Sequence, residues 1–384
     1  MCPSDESHEQ STRSLTVLRA MIDAVDRDVL QLFSRRNALV GEIAQYKREN
    51  RVPIRDLARE RELIADRRHR ATPLGLSPEL IESIFRLVLW GSRDRQAALK
   101  AEVPLEIEVK TVAVIGGKGA MGTCLAEMFG DLGHAVMVAD LDTRLTPEEA
   151  ARSADVVVIS VPIDATVEVI RRLGPLVRTD ALLMDVTSIK SSPVAAMLES
   201  TEASVVGTHP LFAPSVHSLQ GQRVVLTRGR GDEWFEWVRT MFHARGLTDV
   251  ESTPDAHDRI MSVVQVLTHF STEVMGRTLA ALDVSLEETL RFTSPIYLIE
   301  MLMTARHFGQ SPELYAAIEM SNPATKKVTE TFARCAEHTA AMVNDRDHQA
   351  FHEMFDEVRQ YFGSFTEQAM DQSSFLIDRL VERA

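Results

Sequence analysis

The stretch Val112-Ala113-Val114-Ile115-Gly116-Gly117-Lys118-Gly119-Ala120-Met121-Gly122 constrains the fold of this chain more than any other. A β-branched apolar run enters Gly-x-Gly-x-x-Gly, formed by Gly117, Gly119 and Gly122 around Met121. Leu125, Met128, Phe129 and Leu132 then recur at helical spacing. The pattern is strand, tight turn, helix. The glycines let the backbone approach a pyrophosphate, and the helix N-terminus faces its charge. The next apolar run, Ala135 to Ala139, ends in Asp140, eighteen residues after Gly122. A carboxylate there accepts from a ribose 2′-hydroxyl and repels a 2′-phosphate, so NAD is expected over NADP, slightly tempered by Arg144.

Further strands are predicted at Asp155 to Ser160, Ala181 to Val186 and Val205 to Gly207, alternating with helical patterns. Alternation predicts a parallel, doubly wound sheet, expected over residues 102–215. Ser160, Thr187, Ser188, Lys190 and His209 fall at carboxyl ends of strands, where such sheets bind ligands. His209 is the candidate general base, because a neutral imidazole suits proton transfer near pH 7. Residues 216–384 are expected to be all-helical, to dimerise and to close a substrate cleft. Their Met-rich stripe (Met261, Met275, Met301, Met303, Met320) reads as core. Arg306, in an apolar context, reads as a clamp on a carboxylate.

About a hundred residues precede the glycine turn, and residues 1–101 are expected to form a separate helical domain. Leu15, Leu18, Ile22, Val25, Val29, Leu32, Leu39 and Ile43 predict one helix of some 35 residues ending near Asn50. At 1.5 Å per residue that is about 50 Å, too long to pack within one small domain, so an intertwined dimer is expected. Two more helices are predicted, one after Pro53 and one opening with Ser77-Pro78-Glu79. Arg36 interrupts the apolar seam, and Lys47 returns to nearly the same face three turns later. Cations on a seam must neutralise something. Asp56 and Glu60, and likewise Ser92 and Gln96, share a helical face at i, i+4.

Composition excludes other classes. The net charge is −14 with no block of Lys or Arg, which argues against nucleic acid and anionic membranes as partners. Cys2, Cys124 and Cys335 have neither metal spacing nor the number for a disulfide framework. The polar N-terminus carries no secretory pattern, so a cytoplasmic location is expected.

The front segment resembles the all-helical chorismate mutases through Leu18-Arg19, Arg36, Lys47, Pro53-Ile54-Arg55-Asp56, Arg59-Glu60, Ser92 and Gln96. The resemblance implies that Arg36 and a partner chain's Arg19 bind the carboxylates of chorismate. It implies that Lys47 and Gln96 hold the ether oxygen, Asp56 and Glu60 the ring hydroxyl, and that Ser92 assists a carboxylate. Arg19 and Arg36 are seventeen residues apart, ~25 Å along a helix, so one small diacid reaches both only across a dimer.

The rest resembles prephenate dehydrogenase. The matching words are the glycine turn, Ser160-Val161-Pro162-Ile163, Asp185-x-x-Ser188-x-Lys190, Gly207-x-His209-Pro210-x-Phe212, His257-Asp258, His269-Phe270, Ser294-Pro295-Ile296-Tyr297 and Arg306. Implied are oxidation of prephenate with NAD, His209 as base, Ser160 orienting it or the same hydroxyl, and Lys190, His257 and Arg306 toward the substrate. Tyrosine as feedback inhibitor and a homodimer are implied too. Leu298 stands where some relatives carry Arg, a departure from the pattern that leaves a substrate or inhibitor contact there unassigned. Mutase followed by dehydrogenase is the order of bifunctional enzymes of tyrosine biosynthesis. The fold expected is therefore multidomain: an all-α mutase domain, an α/β Rossmann domain and an all-α dimerisation domain. Two rival readings stay open. One is an NAD enzyme of the β-hydroxyacid type; the other is a mutase fused to a non-catalytic, ligand-binding regulatory module.

Overall fold

The computed structural model describes residues 14–49, 56–98, 108–216 and 218–381. The first unit is three helices: α1 (Leu15–Glu49), α2 (Leu57–Ala71) and α3 (Pro78–Ala98). Asp56 caps α2 by accepting from Arg59 N at 2.9 Å. Ser77 caps α3 by accepting from Leu80 N at 3.2 Å. Near its C-terminal end α1 buries Val40 and Ala44, but Leu15, Leu18, Ile22, Val25 and Val29 stay exposed along its N-terminal half. The long apolar helix is therefore as expected, with most of its seam unpartnered in a single chain.

The second unit alternates β1 (Thr111–Ile115), α4 (Ala120–Asp131), β2 (Ala135–Ala139), α5 (Pro147–Ser153), β3 (Val156–Ile159), α6 (Ile163–Leu173), β4 (Leu182–Asp185), α7 (Ser191–Ser200) and β5 (Ser204–Pro210). It continues with β6 (Arg223–Arg230), α8 (Asp232–Ala244) and β7 (Thr248–Ser252). The seven strands lie in the order β2-β1-β3-β4-β5-β6-β7. Strands β1 to β5 pair in parallel, their Val- and Ile-rich runs covered on both faces. Leu125, Met128 and Phe129 of α4 and Phe235 and Phe242 of α8 cover one face. Ala150, Ile170, Leu173 and Met197 of α5 to α7 cover the other.

Two expectations are corrected here. The sheet is not wholly parallel, because β6 returns antiparallel against β5, pairing Val225 with His209. Nor does it stop at residue 215: β6, α8 and β7 carry it to Ser252, so the last unit is not all-helical from 216. The apolar run Val224 to Leu226 completes the sheet beyond β5 and buries that strand between two neighbours.

The last unit is helical, as expected from Pro254 onward. Helix α9 (Pro254–Met261) passes through a π-helical turn (Ser262–Leu267) into α10 (Thr268–Ala281). There follow α11 (Leu286–Arg291), α12 (Pro295–Phe308), α13 (Pro312–Ser321), α14 (Thr325–Asp345), α15 (His348–Phe362) and α16 (Phe365–Val381). Ile318 of α13 packs with Ile163 and Ile189, docking this unit on the nucleotide unit. Met261 and Met301 are core, but Met275, Met303 and Met320 face outward in the single chain, so the Met stripe is only partly internal. Among the described residues no helix is long and apolar enough to cross a membrane.

Candidate active sites

The glycine turn is tight for a steric reason. Gly116 adopts φ +77°, and a Cβ there would collide with the backbone of Ser160. A Cβ on Gly122 would collide with the carbonyl of Gly116, so α4 starts hard against the end of β1. That bare backbone cradle, opening at a helix N-terminus, fits a dinucleotide pyrophosphate. Asp140 follows β2, where its carboxylate accepts from Lys118 N at 3.0 Å and Leu141 N at 2.8 Å. Ser160 ends β3, its N donating to Ile115 O at 2.8 Å. Gly117, Gly119, Met121, Asp140 and Ser160 thus lie around the carboxyl ends of β1, β2 and β3.

His209, on β5, is 3% exposed. Its Nδ1 lies 2.9 Å from Nε2 of His257, whose Nδ1 lies 2.7 Å from Oδ1 of Asp258. On the other side of the His209 ring, Nε2 faces the Gln265 amide nitrogen at 3.5 Å. Gln265 sits on the π-helical turn, a local widening found often at functional sites. Burial pushes the His209 imidazole well below its ordinary 6.5, with His257 and Lys190 adding to the effect and Asp258 opposing it. It is therefore neutral at pH 7.

Two residues placed toward the substrate from sequence lie elsewhere. Lys190 is wholly buried; its ammonium is bonded to Asp185 and, at 2.7 Å, to Thr208 O. It braces the ends of β4 and β5 and has no face to present to a ligand. His257 is 2% exposed, with both ring nitrogens engaged by Asp258 and His209, so it stands behind His209.

Arg306, exposed on α12, belongs to a different cluster. The His307 and Tyr315 rings lie 4.0 Å apart and those of His269 and Tyr315 4.7 Å. Burial raises the Tyr315 pKa, and the nearby Arg306 charge opposes it. Glu273 bonds His307 at 3.2 Å. Burial and the neighbouring Glu273 push Glu319 up to about 7.

In the three-helix unit Arg36 is half-buried and donates to Ser92 Oγ, which donates onward to Val88 O at 2.6 Å. Burial and the adjacent Arg67 charge both lower the Arg36 pKa. Arg67 is itself paired with Asp66 and lies over the Phe85 ring, so Arg36 is the guanidinium placed to meet an anion. Glu60 pairs with Arg93 at 2.7 Å. Lys47 is half-buried on α1, Arg19 is exposed on α1, and Asp56 is engaged as the α2 cap. The Gln96 side chain and residues 53–55 lie outside the described part. One chain therefore joins Arg36 to Ser92 but leaves Arg19 apart. Sequence reasoning missed Arg67, Arg93 and Gln265, which carried no pattern; it included Asp258 in the matched word His257-Asp258 but gave it no role.

Known families match in the same order. The chorismate mutase type II family model matches residues 18–97. The prephenate dehydrogenase nucleotide-binding and dimerization domain models match residues 130–249 and 253–357. The T-protein of Haemophilus influenzae is 33% identical over 368 residues, 95% of this chain and 97% of that protein. The chain belongs to the T-protein family. The T-protein of Enterobacter agglomerans is 35% identical over 94% of this chain and 97% of its own. Among solved structures, prephenate dehydrogenase from A. aeolicus, in complex with hydroxyphenyl propionate and NAD+, shares the fold. Its TM-score is 0.55 at 18% identity, covering 67% of this chain and 98% of that one. This T-protein family member is thus a chorismate mutase followed by an NAD-dependent prephenate dehydrogenase of tyrosine biosynthesis.

Proposed function

We propose that the two activities use the two constellations above, as successive steps on one carbon skeleton. In the mutase unit, Arg36 and Arg19 of the partner subunit hold the chorismate carboxylates, with Ser92 and Arg67 supporting Arg36. Lys47 and Gln96 face the ether oxygen, which gains electron density as its C–O bond breaks. Asp56 and Glu60 take the ring hydroxyl. The rearrangement needs no nucleophile and no proton transfer, only a compact conformer and positive charge near that oxygen. The unpartnered α1 seam supports the second copy, since a helix this apolar gains by burial against another.

In the dehydrogenase unit, the Gly117–Gly122 turn and Asp140 would hold NAD, which would supply the hydride acceptor for C4 of prephenate. Neutral His209 takes the C4 hydroxyl proton at Nε2. As C4 becomes a carbonyl, the C1–carboxylate bond breaks, CO2 leaves, its electron pair aromatises the ring, and the C4 oxygen, now a phenolate, takes the proton back from His209. The products are 4-hydroxyphenylpyruvate, CO2 and NADH. Ser160 orients the hydroxyl, and Arg306 holds a prephenate carboxylate. The observation that carries this reading is the buried, neutral His209 on the strand beside the cofactor crevice. The matched dimerization domain supports a homodimer. Tyrosine as feedback inhibitor belongs to the same proposal and is supported by the resemblance alone. A cytoplasmic location fits the free thiols of Cys124 and Cys335.

Adding chorismate and NAD and following absorbance at 340 nm tests the whole reading. NADH forming from chorismate supports both activities. NADH from prephenate alone sinks the mutase assignment, and none from either leaves only a binding module.

A further inference from the structure

The chain His209–His257–Asp258 has a polarity that the assigned activity does not require of any particular residue. Asp258 sits on α9 and reaches the start of α7. Its carboxylate accepts from Lys190 N at 2.7 Å, from Ser191 N at 2.9 Å and from His257 Nδ1 at 2.7 Å. Burial works to raise its pKa, but the hydrogen bonds from His257, Ser191 and Lys190 outweigh that and hold it below the ordinary carboxylate range. It therefore stays ionised, and an ionised carboxylate only accepts. The Asp258 backbone is pinned as well: its carbonyl accepts from Asn322 Nδ2 at 2.8 Å.

An acceptor at Asp258 dictates the tautomers in order. Nδ1 of His257 carries the proton. In the neutral ring its Nε2 is then bare and can only accept. The partner at 2.9 Å, Nδ1 of His209, must supply the proton. The second nitrogen of a neutral His209, Nε2, is then bare as well. It is the nitrogen that faces Gln265, whose amide NH2 can donate to it in the absence of substrate.

We propose that Asp258 is a positioning residue for prephenate oxidation: acting through His257, it fixes the tautomer of His209 so that Nε2 is the proton acceptor. Asp258 touches neither substrate nor cofactor in this account. Its carboxylate is worth more to the reaction than a helix cap would be. The proposal rests on His209 being the base. The charged and titratable groups around His209 are His257, Asp258 and Lys190; the Lys190 ammonium is bonded to Asp185, and the Asp258 carboxylate sets the direction.

The test uses the full-length enzyme and steady-state prephenate oxidation, with chorismate consumption by the same polypeptide as the measure of folding. Oδ1 of Asp258 serves Lys190 N and His257 together, so an asparagine oxygen in its place would keep both bonds; Asp258→Ala removes the acceptor outright and leaves nothing to hold the proton on His257 Nδ1. The expected result is a fall in kcat of roughly a hundredfold or more, with KM for prephenate and NAD nearly unchanged and the mutase rate intact. His257→Leu removes the partner through which Asp258 acts: kcat falls, and Asp258→Ala then costs little more in that background, whereas a purely structural loss at Asp258 would multiply with it. Nitrogen-15 NMR of the histidines reads the tautomer directly: His209 protonated at Nδ1 alone in the wild type, with Nε2 protonated in part or in whole in Asp258→Ala.

Asp258→Ala retaining kcat, or losing it by the same factor in the His257→Leu background as in the wild type, overturns the relay. So does an unchanged His209 tautomer. If Asp258→Ala fails to fold, the wild-type spectrum decides: a proton on His209 Nε2 overturns the proposal and one on Nδ1 supports it. His209→Asn separates the two ideas. If it keeps NADH formation, the base assignment itself falls; if it is inactive while Asp258→Ala is active, only the relay falls.

Discussion

At the scale of single residues, burial sets protonation at both ends of the dehydrogenase unit. The imidazole of His209 is disfavoured as a cation, so kcat/KM for prephenate is expected to hold as pH falls through 6.5 and to drop only at more acid pH, as a pH–rate profile will read. Glu319 behaves in the opposite sense. Its carboxyl is pushed up to about 7, above the unfolded 4.5, so the folded state binds more protons between those values and stability declines as pH rises through that window. Glu319→Gln is expected to melt higher than wild type at pH 8, with the difference vanishing toward pH 4.5. An equal gain at both pH values would show that charge is not the cause. In the mutase unit, Arg36→Ala is expected to slow chorismate loss about a hundredfold or more and leave prephenate oxidation untouched.

At the scale of elements, two features place chemistry. The turn from β1 to α4 has no room for a side chain at Gly122, where a Cβ would meet the Gly116 carbonyl. Gly122→Ala is expected to raise the Kd for NAD roughly tenfold or more, about 1.4 kcal/mol, in a fluorescence titration, with mutase activity as the unaffected reference. Helix α1 is the second feature. Its exposed Leu18, Ile22 and Val25 make a face that only another helix can cover. Ile22→Asp puts a charge there and is expected to weaken association at this seam by roughly a hundredfold, ~2.7 kcal/mol, by sedimentation. Because Arg19 lies on the same helix, mutase activity is expected to fall with it. A variant that dissociates yet keeps full mutase activity would place the whole site within one chain.

For the whole molecule, the question is whether two sites in one chain work independently. Arg36 and Ser92 form one cluster on the three-helix unit, while His209 lies in the sheet of another. Mixing Arg36→Ala with His209→Asn is therefore expected to restore NADH formation from chorismate after a lag, as prephenate made by one variant reaches the other. No NADH from the mixture, with each variant retaining its other activity, would mean that prephenate does not leave the chain that makes it.

Local chemistry carried much of this into the sequence. Glycine spacing, the apolar period of α1 and the acid after β2 are short-range patterns, and the turn, the 35-residue helix and Asp140 are where those patterns required them. His209 was legible because it ends a strand in a recognisable word. What lay beyond reach depends on pairing between distant segments. The antiparallel β6, which extends the sheet past residue 215, is defined by its partner β5 and not by its own composition. Lys190 looked available for a ligand until Asp185 and Thr208 closed around it, and His257 looked like a substrate contact until α9 packed it behind His209. Whether a polar side chain meets solvent, a ligand or another side chain is decided by which elements pack together, and no local pattern encodes that.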